Sequence, residues 1–292
     1  MSQTQKIRIK KYSGELVPFK PESLKHSLRR SGASEDQVKQ VYAAIQDELY
    51  EGISTRELYQ LAFNKLKECR NSFAARYSLK KALRDLGPEG YPFEKWIGRL
   101  LTFYGFQAIT SQTVQGSAVT HEIDVVAAKG SRMLAIECKF RNDVDAKISV
   151  TTPMYILSRV KDISNGNSYE FFGKKRTFTE GWLVTNAYLT SDSINFSKHY
   201  GLNLLGWDYP SDNSIKLLVD NTKLYPITCL TSLSEQHKKK LLEKDCIVVG
   251  DLTKNPKLLS GIGIAKKQQQ AAITEAQELI QYKGNDTEAS IE

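Results

Sequence analysis

The sequence predicts a multidomain α/β protein: a mixed β-sheet core flanked by helices, preceded by a mostly helical segment with a small β-hairpin and followed by a small all-α region. Three observations carry that expectation. Two nearly continuous apolar runs, residues 123–128 and 133–136, face each other across Lys129, Gly130 and Ser131, the pattern of a hairpin inside a sheet covered on both faces. The flanking segments hold apolar residues at spacings of three and four, the helical period. A cluster of helix breakers, Gly87, Pro88, Gly90 and Pro92, separates the first helical segment from the sheet.

Taken in order, residues 6–19 alternate apolar and basic side chains about Ser13 and Gly14 and read as a hairpin. Helical stretches follow at 23–31, 35–51, 54–68 and 72–86, and Ser54 with Glu57 offers a capping box for the third. Past the breakers comes the central hairpin. From 224 to 282 short helical patterns are punctuated by Asp251, by Asn255 and Pro256, and by Ser260, Gly261, Ile262 and Gly263. The expected divisions are therefore 1–90, 91–222 and 223–283, with residues 284–292 a polar, disordered tail.

A chain of 292 residues exceeds one ordinary domain, and 40% hydrophobic content with 10% aromatics permits cores in two or three pieces. No apolar stretch approaches membrane length, and the first residues lack the hydrophobic core of a signal peptide, so no membrane partner and a cytoplasmic location are expected. Cys69, Cys138, Cys229 and Cys246 are scattered, which argues against disulfides and structural zinc. The net charge of +8 favours a polyanionic partner. Most of that surplus precedes the sheet, where residues 1–90 hold 17 Lys plus Arg against 11 Asp plus Glu.

Asp124 lies in the first apolar run of the central hairpin, and Glu137, Cys138 and Lys139 end the second. Strand alternation puts Glu137 and Lys139 on one face and Ile136, Cys138 and Phe140 on the other. Adjacent carboxylates repel unless a cation lies between them, and Mg2+ binds through one or two carboxylates plus phosphate oxygens and water. The arrangement reads as a metal site for phosphodiester cleavage. The same spacing also fits three charges on the solvent face of a hairpin. The apolar character of both strands favours the site, because charges embedded there need compensation.

These residues resemble the PD-(D/E)xK nucleases, most closely their Mrr-like restriction endonuclease branch; the resemblance spans roughly residues 91–220 and implies a helix at 91–101 before the hairpin, then a strand at 181–186, a helix at 193–200 and a last strand at 203–207. It implies that Asp124 and Glu137, with the Cys138 carbonyl, ligate Mg2+ or Mn2+, and that Lys139 positions the attacking water and offsets charge on the phosphoryl oxygens. Glu94 stands at the place of the family's occasional extra acidic residue. Ile123 replaces the proline of the family name. The implied substrate is DNA, and the implied assembly is a homodimer or higher homo-oligomer, since cutting both strands needs two sites.

The N-terminal segment resembles the ATP-cone, a regulatory nucleotide-binding domain, through Lys11, Gly14, Pro18 and Phe19, through Ser54 and Thr55, and through Ala74, Ala75, Arg76 and Tyr77. The resemblance implies ATP or dATP as an effector, with Lys11 at the phosphates, Thr55 near the base, Arg84 supplying a basic group, and Lys10 and Lys20 close enough to join. Tyr12 and Ser23 depart from the family's basic positions. A basic helical domain that binds nucleic acid directly is the alternative. Residues 258–267 resemble a helix-hairpin-helix motif, with Gly261 and Gly263 in its turn and Lys266 and Lys267 opening the next helix; a plain interhelix loop fits equally.

The sequence therefore leads to a metal-dependent DNA endonuclease regulated by a nucleotide, with bacterial defence or restriction as its setting. A nucleotide-sensing DNA-binding regulator without cleavage, or an RNA-cleaving nuclease, are the alternatives.

Overall fold

A computed structural model describes residues 7–87 and 90–282; the expected tail at 284–292 lies outside them. The N-terminal unit opens with β1 (Arg8–Lys10) and β2 (Leu16–Pro18), paired antiparallel with Ile9 opposite Val17. Pro21 begins α1 (Pro21–Arg30), where its missing N–H costs nothing. Reciprocal capping boxes, Ser34 with Gln37 and Ser54 with Glu57, start α2 (Glu35–Gln46) and α3 (Thr55–Cys69). The expected helix at 35–51 stops at Gln46. The expected helix at 72–86 is two, α4 (Asn71–Tyr77) and α5 (Leu79–Arg84), because Ser78 leaves helical geometry at φ −92°, ψ 13°. Leu28, Val38, Ile45, Ala62 and Leu66 close this unit's own core.

The central unit begins with α6 (Tyr91–Phe103) and the strands β3 (Gln107–Gln115), β4 (Thr120–Lys129) and β5 (Arg132–Lys139). A short β6 (Lys147–Ile148) leads into α7 (Thr151–Ser164) and a small hairpin, β7 (Tyr169–Phe171) and β8 (Lys174–Arg176). Then come β9 (Glu180–Thr185), β10 (Tyr188–Leu189), α8 (Ser191–Tyr200), β11 (Asn203–Leu205) and α9 (Ile215–Thr222). The main sheet runs β11-β9-β5-β4-β3; its first three strands are parallel and the last two pairings antiparallel, giving the expected mixed sheet. One face packs on α6 through Val125, Ala127, Leu134 and Ile136; the opposite face carries Val126, Met133 and Ala135 against Ile163 of α7. Thus β4 and β5 are buried on both sides, which explains their unbroken apolar runs.

A 3-10 turn at Ile227–Cys229 opens the all-α region, which continues through α10 (Glu235–Glu243), α11 (Val249–Lys254), α12 (Lys257–Ser260) and α13 (Lys266–Gln281). Gly261 to Gly263 link α12 to α13, with Gly263 at φ +80° where a side chain would be strained. The largest core crosses the breaker cluster: Leu79, Leu83 and Leu86 of the N-terminal unit, Phe93 and Trp96 of α6, and Leu241, Leu252 and Leu279 of the C-terminal region belong to one cluster. Polar bonds reinforce it, including Trp96 Nε1 to the Leu224 carbonyl (2.7 Å), Thr228 Oγ1 to the Ala82 carbonyl (2.6 Å) and Ser72 Oγ to Glu278 (2.7 Å).

Candidate active site

Asp124 lies where β4 loses its regular pairing on both sides. Toward β3, Thr110 pairs Val125 and Gln112 pairs Ile123, and Ser111 between them takes φ +54°. Toward β5 the ladder reaches Val125 opposite Ile136 and goes no further. Side-chain alternation switches there too: Ile123 packs with Val126 on one face, while Val125 packs on the other. Such a local break re-aims a side chain. It turns the Asp124 carboxylate onto β5, where its Oδ2 accepts the Cys138 N–H at 2.7 Å.

Glu137 and Lys139 share a face as expected: Lys139 Nζ donates to Glu137 Oε1 at 2.5 Å. Glu137 is only 6% exposed, so its charge needs partners. The second partner is Arg159 of α7, itself mostly buried, which donates through Nη1 to Glu137 Oε2 and through Nη2 to the Glu122 carbonyl. Sequence reasoning missed Arg159. The signal available was Ile156, Val160 and Ile163 at helical spacing behind Pro153, which marks α7; nothing in the sequence marks the arginine itself.

The pocket is over-supplied with carboxylates. Burial, and then the Glu137 charge, pushes Asp124 up to about 6. Glu94, on the first turn of α6, is pushed to about 7 by burial and then by Asp124, Glu122 and Glu137. Cys138 is buried and its thiol is held well above its ordinary value by that burial, so its main chain rather than its sulfur is what the site can use. No group of three or more His, Cys, Asp or Glu side chains in metal-holding geometry occurs among the described residues. The donors fit a hard divalent cation nonetheless: two carboxylates and a main-chain carbonyl are all oxygen, and substrate and water complete such a shell. His121 is taken up elsewhere, its Nε2 2.7 Å from Asp162, whose carboxylate also accepts the Ala118 and Val119 N–H groups and so ties the β3–β4 turn to α7.

In the N-terminal unit, Lys10 ends β1 beside Ser54, bonded through its N–H to the Ile53 carbonyl at 2.9 Å, so the hairpin meets the start of α3. That brings Lys10, Lys11 and Thr55 to one exposed region. Lys11 pairs with Glu15 across the hairpin at 3.0 Å, at the turn end, while Lys20 stands at the N-cap of α1, past the opposite end of the hairpin. Arg84 ends α5, with Lys80, Tyr59 and Tyr188 as electrostatic neighbours.

These features define an ATP-cone joined to a nuclease domain of the PD-(D/E)xK-like kind: residues 7–86 match the ATP cone domain, and residues 87–159, which hold Glu94, Asp124, Glu137, Lys139 and Arg159, match the archaeal holliday junction resolvase (hjc) family. Residues 225–280 match the AF1548-like C-terminal domain. The chain belongs to the family of an uncharacterized protein of Archaeoglobus fulgidus, to which it is 30% identical over 185 residues, 63% of this chain and 99% of that relative. A crystal structure of AF1548, a protein of unknown function, superposes with a TM-score of 0.53 at 29% identity, covering 65% of this chain and 97% of the other. Can2 from Sulfobacillus thermosulfidooxidans, solved with cyclic tetra-adenylate, aligns at 14% identity with a TM-score of 0.31 over 68% of this chain and 54% of its own. That last likeness is too slight to bear on fold or function.

Proposed function

We propose that this protein is a divalent-metal-dependent DNA endonuclease whose cleavage responds to ATP or dATP bound at the cone. The observation that carries the reading is the convergence of Asp124, Glu137 and Lys139 where the β4 ladder breaks, with burial and then repulsion from Glu137 pushing Asp124 up to about 6 in a protein of net charge +8. Stability alone gives no reason to crowd carboxylates there; a bound cation does.

Asp124, Glu137 and the Cys138 carbonyl would hold Mg2+ or Mn2+. Such an ion supplies Lewis acidity to the phosphoryl oxygen and acidifies a bound water. Lys139 stands beside Glu137 with a fixed positive charge for the developing phosphorane oxygens. Glu94, titrating near neutrality, is suited to take up a proton beside the site. At the cone, Lys10, Lys11 and Lys20 act as point charges for phosphates, Thr55 lies near the base, and Arg84 adds a basic group from α5. The turn at Gly261 and Gly263 ahead of α13 grips a DNA phosphate in the manner of a helix-hairpin-helix motif.

The match to the archaeal resolvase family supports a branched DNA as one substrate to try, beside the duplex that an Mrr-like restriction activity in bacterial defence would cut. Two copies acting together would cut both strands. The test is cleavage of supercoiled plasmid and of a four-way junction by wild type and by Asp124→Ala, with Mg2+ or with chelator, each with and without ATP or dATP. Cutting that requires both Mg2+ and Asp124 supports the reading. Binding without cutting under every condition defeats it in favour of a nucleotide-sensing regulator, and cutting of RNA alone reassigns the substrate.

A further inference from the structure

Between the cone and the nuclease domain lies a cleft of about 280 Å³. Arg30 of α1, Arg76 of α4 and Lys80 of α5 form one side; Trp207, with Lys216 and Asp220 of α9, forms the other. Four cations and one carboxylate thus line a space bounded by both domains. None of Lys10, Lys11, Lys20 or Thr55 lines it.

One of these cations, Arg76, is incompletely satisfied. Its side chain is 5% exposed, lies 3.1 Å from the centre of the Tyr282 ring, and reaches Asp220 at 3.5 Å and the Arg30 carbonyl at 3.2 Å through Nη2, yet its Nε and Nη1 have no hydrogen-bond partner. A guanidinium carries five N–H donors and keeps its charge, so unmet donors in such a place are a standing cost. Burial, with repulsion from Arg76, holds Arg30 below its usual value. Burial and then Arg84 draw Lys80 down to about 8, against the pull of Asp145 and Asp208; its Nζ donates to the Val144 carbonyl at 2.9 Å and lies 3.6 Å from the Tyr188 ring. An anion in the cleft would offset the repulsion between Arg30 and Arg76.

We propose that this cleft is a second anion site, separate from the hairpin, that takes a pyrophosphate-sized group such as the phosphate end of a nucleotide, held by Arg30, Lys80 and Lys216. At about 280 Å³ the cleft has ample room for a group of that size. Because its walls belong to two domains, an occupant stabilises the arrangement that forms the cleft, and the two are coupled reciprocally.

The test is calorimetric titration of inorganic pyrophosphate into the full chain at roughly 0.15 M salt, where weak surface attraction is screened. Wild type is compared with Arg30→Gln, Lys216→Ala, the exposed control Lys175→Ala, and Lys11→Ala as a marker of binding at the hairpin. Arg76 is left in place, since its burial would confound binding with folding, and thermal unfolding checks that each variant is folded. Saturable binding is expected in wild type, weakened about tenfold in Arg30→Gln and Lys216→Ala, the loss of one charge-assisted contact, and unchanged in Lys175→Ala. Absence of saturable binding, equal binding by wild type and both cleft variants, or loss in Lys11→Ala alone overturns the assignment. A parallel titration with single-stranded oligonucleotide identifies the other source: if the two cleft substitutions weaken only that ligand, the cleft serves a nucleic-acid backbone and the proposal fails.

Discussion

Arg159 and Glu137 are twenty-two residues apart and form a largely buried ion pair between α7 and β5, with the arginine's second Nη holding the Glu122 carbonyl. The pair clamps the carboxylate that the metal reading needs. Removing the arginine leaves a buried charge with Lys139 as its remaining ion partner. Arg159→Ala is expected to destabilise the metal-free protein by about 3 to 5 kcal/mol, the cost of orphaning one member of such a pair. Mg2+ should restore part of that loss by supplying the missing charge. Denaturant unfolding in chelator and in Mg2+ measures both; a loss that Mg2+ leaves unchanged counts against a cation at Glu137.

Asp124 and Glu94 titrate higher in the fold than in the unfolded chain, at about 6 and about 7. An acid of this kind binds its proton more tightly when folded, so its contribution is most favourable below the unfolded pKa and is lost as pH rises through the folded one. Metal-free protein should therefore lose stability between roughly pH 4 and pH 7 on account of these two groups, and saturating Mg2+ should flatten that decline. Chemical denaturation across this range checks it.

Glu94→Gln separates stability from catalysis. It deletes a half-buried acid that the site disfavours in its ionised form, so the metal-free variant should be more stable than wild type at pH 8. Cleavage should fall about 10- to 100-fold, the usual effect of removing a group that supports a metal centre from its surroundings. Paired unfolding and plasmid-cleavage assays read the two signs independently.

At the cone, Lys11→Ala and Thr55→Ala should each weaken ATP binding. About tenfold is expected for Lys11, whose ammonium makes a charge-assisted contact, and less for the hydroxyl of Thr55. The rise in melting temperature on adding ATP should shrink accordingly, and an undiminished rise in both variants would place the nucleotide elsewhere.

Gly181 on β9 lies under α7: a Cβ there would stand 2.5 Å from Val160 Cγ2 and 3.0 Å from Leu202 Cδ1. Gly181→Ala should cost about 1 to 3 kcal/mol through overpacking. Because Val160 adjoins Arg159, the displaced helix should also loosen the Glu137 clamp, lowering cleavage more than the stability loss alone would.

The hairpin site was legible because a period of two fixes which residues share a face, and two nearly unbroken apolar runs reveal a strand covered on both sides. The Glu137–Lys139 contact followed from that rule. The inversion of side-chain facing at Asp124 did not, since it depends on Ser111 taking a positive φ, a conformation that serine seldom signals. Nor did Arg159, which reaches the site from a helix separated from the hairpin by a polar connection. In the N-terminal unit the capping box at Ser54 marks a helix start in the sequence, while no glycine or proline between 71 and 86 signals the break at Ser78. A run of three lysines such as Lys238 to Lys240 reads locally as a solvated face, yet Lys238 is 7% exposed and paired with Glu235.

The core that runs from Leu79 through Trp96 to Leu279 gives the chain a thermodynamic unity that its three sequence divisions conceal. A protease that nicked the chain near Gly87 would leave fragments still joined by the side chains between them, and the nuclease domain expressed alone would present to water the apolar surface that Leu83 and Leu86 now cover. The regulatory module is thus part of the structural fabric of the enzyme it is proposed to control, so that removing it to test for unregulated cleavage would be expected to yield aggregate rather than an unrestrained nuclease.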